Sequence, residues 1–309
     1  MKTLDLIIPC YNEAQVLPLL MQALQDVRGT LTDYDCRLLF VDDGSSDATL
    51  EVLKGFAATD SAVRYLSFSR NFGKEAAMLA GLRAATADYI GILDADLQHS
   101  PALLPEMLRA LEEGYDVAAA KRTDRSGEGK LVSLLSNAFY RLANRLSDVQ
   151  IDPGAQDFRV MRRCVADAIL SLPEHRRFTK GIFAFVGFRT KWFPHENTAR
   201  AAGETKWSFA KLLRYAFDGI LAFSDRLLLL PLLLGALCCG GSLIALLVQL
   251  ILQLCTGITV HAVHPLVAVA FLLTGLLLLS LGVLGIYLSR VLTEVRNRPQ
   301  YIIRESNLS

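Results

Sequence analysis

Several sequence patterns that define common enzyme classes are absent from this chain of 309 residues. No Gly-x-Gly-x-x-Gly follows the first predicted strand, and no Gly-Lys-[Ser/Thr] occurs, which argues against dinucleotide binding and against a P-loop NTPase. The six cysteines form no Cys-x-x-Cys pair, and His99, His175 and His195 show no metal-ligand spacing. We therefore expect a reduced cytosolic domain that has neither disulfide bonds nor a zinc site.

Net charge is also almost absent. The chain has 32 Lys and Arg residues against 31 Asp and Glu residues, which gives a formal net charge of +1, and basic residues are interleaved with acidic ones. General nucleic-acid binders carry a clear excess of positive charge. Nucleic acid is therefore not expected among the partners of this protein.

Two stretches, 227–254 and 265–289, contain no charged residue, although 20% of the whole chain is charged. The mean hydropathy of the chain, +0.33, is high for a wholly soluble protein. Each stretch is long enough to cross a hydrocarbon core of about 30 Å as a helix, and both lie too far from the N-terminus to be signal peptides. We expect a transmembrane hairpin of two helices, with two buried core helices as the alternative. The lack of ionisable side chains inside both stretches weakens a transport function.

The distribution of basic residues predicts the orientation of this hairpin. The connecting segment 256–264 has no Lys or Arg, whereas both outer flanks are basic. By the positive-inside rule, both termini face the cytoplasm. The expected organisation is a cytosolic domain at 1–205, a juxtamembrane amphipathic helix at 206–226, the hairpin at 227–289 and a cytosolic tail at 290–309. The flanking basic residues are Lys206, Lys211, Arg214 and Arg226 before the hairpin, and Arg290, Arg296, Arg298 and Arg304 after it.

The polar part of the chain alternates predicted strands with predicted helices. Apolar runs at 4–9, 37–41, 63–67, 89–93 and 116–120 indicate strands, and helical spacing indicates helices between them, one of which begins near Lys74. Ser46 or Asp47 is placed to cap the second helix. This alternation predicts an α/β fold with a mostly parallel sheet, in which ligands bind beyond the carboxyl ends of the strands.

Polar side chains follow four of these strands. Asp94 and Asp96 come directly after the apolar strand at 89–93, and unpaired carboxylates at such a position cost several kcal/mol, so we expect a cation beside them. Mg²⁺ and Mn²⁺ prefer carboxylate oxygens and keep positions for phosphate oxygens. With a lysine, Lys74, at a helix start, this pattern favours a nucleotide diphosphate bound through a divalent metal. A solvated turn is the alternative for an Asp-x-Asp taken alone.

The ordered set of motifs resembles the inverting family 2 glycosyltransferases, which have a GT-A fold. Within that family the chain is similar over essentially its whole length to polyprenyl-phosphate glycosyltransferases, namely the bactoprenol (undecaprenyl-phosphate) glucosyltransferase type and the dolichyl-phosphate mannose synthases. The resemblance implies a Rossmann-like, mostly parallel sheet domain followed by interfacial helices and the transmembrane hairpin. The motifs are Pro9-Cys10-Tyr11-Asn12-Glu13, Val41-Asp42-Asp43-Gly44-Ser45-Ser46-Asp47, Asn71-Phe72-Gly73-Lys74, Asp94-Ala95-Asp96-Leu97-Gln98, Lys121-Arg122, Asp157-Phe158-Arg159-Val160-Met161 and Arg200-Ala201-Ala202-Gly203-Glu204-Thr205-Lys206-Trp207.

The resemblance also implies roles for individual residues. The base and ribose of a UDP-sugar would lie against Pro9, Tyr11, Glu13 and Asp42, and the rest of the donor against Lys74, Asp94, Ala95, Asp96 and Gln98. Mg²⁺ or Mn²⁺ would be held by Asp94, Asp96 and Gln98. Lys74 and Arg122 would neutralise charge on the departing diphosphate. Arg159, Arg200 and Lys206 would hold the acceptor phosphate.

Asp157, Asp96 and Arg122 are the residues that the resemblance implies for catalysis, and the family would offer Asp157 as the base. A phosphate monoester has a second pKa of about 6, so the lipid acceptor is largely dianionic at pH 7. An acceptor of this kind hardly needs a base. We therefore expect Asp157 to orient the acceptor or a basic side chain more than to remove a proton.

The expected function is inverting transfer of a sugar, with glucose as the leading guess, from a UDP-sugar to undecaprenyl or another polyprenyl phosphate. The reaction would occur on the cytoplasmic face of a bacterial inner membrane and would supply polyprenyl-phosphate-sugar for cell-envelope glycan or lipid modification. Hairpin anchors of this kind often associate, which leaves a homo-oligomer open. A processive polysaccharide synthase is one alternative, although neither Trp192 nor Trp207 lies in a Gln-x-x-Arg-Trp motif. A non-catalytic membrane subunit of a glycolipid export system is the other.

Overall fold

The computed structural model describes residues 1–122, 154–175, 177–195 and 263–308, together with Asp152 and single positions between 234 and 255. The chain divides into two compact units. One comprises Met1–Ala222 and Pro299–Ser309, and the other comprises Phe223–Arg298. The predicted juxtamembrane helix at 206–226 lies outside the described residues, as do Arg200 and Lys206.

The first unit is built on one sheet of eight strands. In chain order the strands are β1 (Lys2–Cys10), β2 (Tyr34–Asp42), β3 (Val63–Phe68), β4 (Tyr89–Ile92), β5 (Val117–Arg122), β6 (Ala155–Arg162), β7 (Thr190–His195) and β8 (Ile303–Ser306). Their order across the sheet is β7-β5-β6-β4-β1-β2-β3-β8. Six strands run in one direction, and β6 and β8 run in the other. The predicted α/β fold with a mostly parallel sheet is therefore confirmed.

Six helices of the described residues belong to this unit. Helix α1 buries Leu17, Leu20, Met21, Leu24 and Val27, which recur at the spacing of one helical face. Of the two predicted caps for α2, the carboxylate of Asp47 accepts the backbone N–H of the first helical residue at 3.0 Å. The helices are α1 (Leu17–Thr30), α2 (Thr49–Thr59), α3 (Lys74–Ala84), α4 (Leu104–Glu112), α5 (Arg163–Leu170) and α6 (Thr179–Phe185).

The central strands are buried on both faces, which is the reason for their continuous apolar sequences. In β1, Leu6, Ile7 and Ile8 are completely buried, so both faces of the strand are covered. The carboxyl ends of β1, β2, β3 and β4 lie side by side at one edge of the sheet. Arg159 of β6 pairs with Ile92, the last residue of β4, in antiparallel register, so the start of β6 extends beyond the same edge.

Strands β6, β7 and β8 were not predicted from the sequence. Strand β8 comes last in the chain and pairs antiparallel with β3. Its Glu305 forms an ion pair with Lys54 of α2 at 2.8 Å and accepts the hydroxyl of Tyr65 at 3.0 Å. Just before it, the ring of Tyr301 stacks on Phe68 at a centroid distance of 5.0 Å. The end of the chain is therefore an integral part of the first unit.

The described part of the second unit contains a long apolar helix, α7 (Val263–Arg296). Within it, Leu272–Arg296 is long and apolar enough to cross a membrane, with a mean hydropathy of 2.1, and large apolar side chains are exposed along its length. The hydroxyls of Thr274 and Ser280 donate to carbonyls one turn earlier in the same helix, both at 2.8 Å. Such bonds satisfy polar groups within the helix itself, as a lipid environment requires. The helix is longer than the predicted span at 265–289, and of the predicted first span at 227–254 only single helical positions are described.

Candidate active site

The polar segments that follow the strands meet at the carboxyl edge of the sheet. The loop after β1 and the turn after β2 are joined by hydrogen bonds. The N–H of Asn12 donates to Ser45 Oγ at 2.9 Å, and Asn12 Oδ1 accepts the N–H of Ser46 at 2.8 Å. The N–H of Glu13 donates to Thr49 Oγ1 at 2.9 Å. These bonds fix the backbone that carries Pro9, Tyr11 and Glu13, which are half-buried beside the edge.

Asp42, expected to contact the base or ribose of the donor, is only 1% exposed. Its Oδ1 accepts the N–H of Ser45 at 3.0 Å, and its Oδ2 accepts the hydroxyl of Ser67 at 2.7 Å. Each carboxylate oxygen can accept more than one hydrogen bond. These two contacts therefore orient the group and leave it able to accept further hydrogen bonds. Ser67, from β3, had no role in the sequence prediction.

Asp43 holds the loop that precedes α3. It is 3% exposed, its Oδ1 accepts the N–H of Phe72 at 2.7 Å, and its Oδ2 accepts the N–H of Gly73 at 2.9 Å. Gly73 has φ 100°, a backbone conformation that favours glycine, and it directly precedes α3. Next to Asp43, Gly44 has φ 64°, and a Cβ there would lie 2.3 Å from the carbonyl carbon of Arg70. The turn after β2 thus fixes the start of α3.

The first residue of α3, Lys74, links two carboxylates. Its Nζ lies 2.6 Å from Asp94 Oδ1 and 2.5 Å from Asp157 Oδ2. Burial alone would lower the pKa of Lys74, but the charges of Asp157 and Asp94 raise it well above its ordinary value. Burial would raise the pKa of Asp157, but the charges of Lys74 and Lys180 hold it well below its usual range. The cation that the sequence requires beside Asp94 is, in this structure, the ammonium of Lys74.

The remaining residues of the Asp-x-Asp segment lie in a tight turn. Ala95 is 4% exposed, Leu97 has φ 55°, and Asp96 Oδ1 accepts the N–H of Gln98 at 3.2 Å. No group of three or more His, Cys, Asp or Glu side chains is placed to hold a metal ion within the described ranges. The donors of Asp94, Asp96 and Gln98 are two carboxylates and one amide. This set of hard oxygen donors fits Mg²⁺ or Mn²⁺ when phosphate oxygens complete the coordination.

The basic residues expected near the phosphates occupy different environments. Arg122 is half-buried at the end of β5, and its N–H donates to the carbonyl of Gly154 at 2.9 Å. Arg159 is only 3% exposed, and its guanidinium donates to the carbonyls of Gln156 at 2.6 Å and Asp157 at 3.3 Å. Burial lowers the pKa of Arg159 to about 10, although Asp157 opposes this shift. Arg159 thus holds the backbone around Asp157.

Besides Ser67, three residues of the site were not anticipated from the sequence. Asp43 belongs to the motif that begins at Val41, and the available signal was an acidic pair followed by glycine at a strand end. Its contact with Gly73 could not be predicted, because Gly73 lies in a loop that is distant in the sequence. Glu75 accepts the N–H of Thr179 at 3.2 Å and also its hydroxyl, which connects α3 to α6. The positive charge of Lys180 helps to lower the pKa of Asp157. No local pattern marks Glu75 or Lys180.

The comparison with known proteins identifies the class. Residues 5–170, more than half of the chain, match the family model described as Glycosyl transferase family 2. The chain therefore belongs to glycosyl transferase family 2, and the family expected from the motifs is confirmed. Glycosyl transfer is the activity of this class, so the chain is an enzyme.

Individual relatives show which kinds of family member this chain resembles. A protein of Bacillus subtilis (strain 168) named as a glycosyltransferase, CsbB, is 39% identical over 305 residues, which cover 99% of this chain and 92% of the relative. The bactoprenol glucosyl transferase of Shigella phage SfII is 35% identical over 304 residues, which cover 98% of each chain. A solved structure of glucosyl-3-phosphoglycerate synthase from Mycobacterium tuberculosis shares 19% identity and covers 71% of this chain and 77% of that chain, with a TM-score of 0.49. The family assignment rests on the sequence matches.

Asp43 gives this site a pH dependence that stability measurements can detect. Burial raises the pKa of Asp43 from 3.8 to about 6, against the N–H groups of Phe72 and Gly73 that lower it. A carboxyl whose pKa is raised by folding binds its proton more tightly in the folded state, so its contribution to stability is lost as the pH rises through this window. We expect the unfolding free energy of the wild type, relative to that of Asp43→Asn, to fall by ~2–3 kcal/mol between pH 4 and pH 7.

The measurement is denaturation of the purified full-length protein at several pH values. Asp26→Asn is the matched control, because Asp26 is exposed on α1. Its stability relative to the wild type should change little over the same range. A difference between the wild type and Asp43→Asn that stays constant from pH 4 to pH 7 would contradict the assignment.

Proposed function

We propose that this glycosyltransferase moves glucose from UDP-glucose to undecaprenyl phosphate, with inversion at the anomeric carbon, on the cytoplasmic face of the bacterial inner membrane. The observation that carries the proposal is the ammonium of Lys74 between Asp94 and Asp157, at 2.6 Å and 2.5 Å. Asp94 belongs to the Asp-x-Asp segment proposed for the donor, and Asp157 belongs to the strand proposed for the acceptor. The name of the phage relative, bactoprenol glucosyl transferase, supports both the lipid and the sugar.

The donor half of the proposal rests on the loops after β1, β2 and β4. Pro9, Tyr11, Glu13 and Asp42 are proposed to bind the uracil and ribose of UDP, where the buried carboxylate of Asp42 accepts hydrogen bonds. Asp94, Asp96 and Gln98 are proposed to hold Mg²⁺ or Mn²⁺. When bound, such a cation neutralises charge on the pyrophosphate as it leaves. Lys74 and Arg122 are proposed to add positive charge at the same group.

The acceptor half needs no proton transfer. An oxygen of the dianionic lipid phosphate forms a bond to the anomeric carbon of glucose while the bond from that carbon to the UDP oxygen breaks, and UDP leaves with the electron pair. The products are a polyprenyl phosphoglucose diester and UDP. Asp157 is proposed to orient the phosphate and its basic neighbours. Its pKa, which Lys74 and Lys180 hold low against the effect of burial, suits this role because a carboxylate of low pKa is a weak base.

The position of β8 supports two membrane crossings. Strand β8 follows α7 in the chain, yet it pairs with β3, which precedes α7. Segments on both sides of 196–298 therefore fold into one sheet and must occupy the same compartment. If α7 crosses the bilayer, the chain must cross it a second time between 195 and 263, and the apolar stretch at 227–254 is the candidate. The basic flanks favour the cytoplasm as that compartment.

The decisive experiment incubates the purified full-length protein with undecaprenyl phosphate and a panel of nucleotide sugars. We expect UDP-glucose to give one glucose per lipid phosphate, whereas a processive synthase would give longer products. EDTA should abolish transfer, and Mn²⁺ or Mg²⁺ should restore it. Asp96→Ala should lose transfer yet remain folded, whereas Asp26→Ala should retain it. Full turnover in excess chelator would exclude the metal, and no transfer from any donor would exclude the proposed reaction.

The role of Asp157 can be tested through the pH dependence of kcat. If the acceptor dianion attacks unaided, the acid limb of the profile follows the second ionisation of the phosphate, with a pKa of about 6, and Asp157→Asn keeps this limb. The substitution then raises KM for the lipid. If Asp157 were the base, Asp157→Asn would lose the limb and roughly 10²-fold or more in kcat. A variant without the acid limb and with an unchanged lipid KM would refute the orienting role.

The topology can be tested in cells. A reporter fused after Ser309 should behave as cytoplasmic, because the end of the chain belongs to the same sheet as the start. An epitope inserted between residues 256 and 262 should be accessible from outside in intact spheroplasts. An epitope in this segment that is reached only after permeabilisation would exclude the two-span arrangement.

A further inference from the structure

Helix α6 packs beside β6, the strand that carries Asp157. This helix is fixed to the rest of the unit at two points. Glu75, the neighbour of Lys74 in α3, accepts the backbone N–H and the hydroxyl of Thr179. The guanidinium carbon of Arg159 lies 3.4 Å from the centroid of the Phe183 ring. The helix is thereby held against β6, the strand that carries Asp157.

Lys180 lies between these two fixed points. It precedes Phe183 by three positions, and residues three apart in a helix share a face, so Lys180 lies on the face that meets β6. Asp157 and Arg159 are two apart in β6 and share a face of that strand. Burial raises the pKa of Asp157, and the charge of Lys180, after that of Lys74, acts to lower it. Lys180 therefore lies near Asp157, on the face of α6 that meets β6.

Lys180 differs from Lys74, the other lysine near Asp157, in having no ion-pair partner among the described residues. Lys74 is engaged by both Asp94 and Asp157, and Arg159 is buried against backbone carbonyls. In the part of the chain that the structure describes, no carboxylate lies within 4.0 Å of Lys180, which is half-buried. Lys180 therefore places a positive charge near Asp157 that no ion pair with a described residue neutralises. A half-buried ammonium of this kind attracts an anion.

We propose that Lys180 binds the phosphate group of the lipid acceptor, an inference that rests on the proposed function. The dianion must approach the anomeric carbon next to Asp157, whose own negative charge repels it. An ammonium near Asp157 offsets this repulsion and supplies up to three donors to the phosphate oxygens. Lys180 adds to Arg200 and Lys206, which are proposed from the resemblance and lie outside the described residues.

The first test uses the wild-type protein and needs no turnover. Lysines of the full-length protein in detergent are labelled with acetic anhydride and quantified by mass spectrometry, with undecaprenyl phosphate, with undecaprenol, or with neither. We expect the phosphate, but not the alcohol, to reduce labelling of Lys180 several-fold. Lys191 is the internal control, because it is paired with Glu113 at 2.6 Å on β7 and should label equally in all three samples. Equal labelling of Lys180 in all three samples would overturn the proposal.

The second test separates the acceptor from the donor. Lys180→Ala should raise KM for undecaprenyl phosphate roughly ten- to hundredfold, the effect of one lost charge-assisted hydrogen bond, and should leave the affinity for UDP unchanged. Lys180→Arg should restore most of the lipid affinity, and Lys191→Ala should behave as the wild type. A merely structural role would weaken UDP binding as well. A Lys180→Ala enzyme with the wild-type KM for the lipid phosphate would overturn the proposal.

The two tests also distinguish this inference from the proposed function. Failure of the wild type to transfer sugar from any donor would exclude the proposed reaction. The labelling experiment would still decide whether Lys180 contacts the lipid phosphate, because protection from acetic anhydride depends on binding and not on transfer.

Discussion

One ammonium group connects the two halves of this site. Lys74 Nζ lies within 2.6 Å of Asp94, which follows β4, and within 2.5 Å of Asp157, in the antiparallel strand β6. Without a cation between them, two partly buried carboxylates would repel each other. The position of this ammonium depends in turn on Asp43, whose carboxylate holds the N–H groups of Phe72 and Gly73 immediately before α3. A substitution of Asp43 would therefore affect the start of α3, and through Lys74 it would affect the contacts with both Asp94 and Asp157.

The first half of the fold could be predicted because its signals are local. The strands from β1 to β4 are apolar runs buried on both faces, and α1 shows its buried face through residues at helical spacing. Strand β6 differs, since Gln156, Asp157 and Arg159 interrupt its apolar pattern, and what they contact is supplied by α3, α6 and backbone carbonyls. Strand β8 is short and largely exposed, and only its pairing with β3, far away in the sequence, makes it a strand.

The site residues also divide into those that local sequence signals predicted and those that depend on contacts between distant elements. The residues after β1, β2 and β4 were identified because parallel strands bring their carboxyl ends to one edge, so position in the sequence predicts position in space. The sequence favoured a divalent metal beside Asp94, and it could not show the contact with Lys74, because that contact depends on how α3 packs against the loop after β4. The structure places Lys74 there, and a metal bound by Asp94 must share this carboxylate with the lysine or displace it. Lys180 escaped prediction because Asp157, on whose charge it acts, lies on another element, and no local pattern in the sequence marks it.

The electrostatics of Asp157 bear on the class of acceptor. A hydroxyl acceptor must lose a proton during transfer, and a base for that step works best when its pKa lies near the operating pH. In this site burial would move the pKa of Asp157 upward, but the charges of Lys74 and Lys180 hold it well below its usual range. These cations make the carboxylate a poor base and at the same time make the site attractive to an anion. A phosphate monoester, which arrives already ionised, meets both conditions, because it uses the positive charge and does not need the base. The arrangement around Asp157 therefore favours a phosphate over a sugar hydroxyl as the group that receives the glycosyl unit.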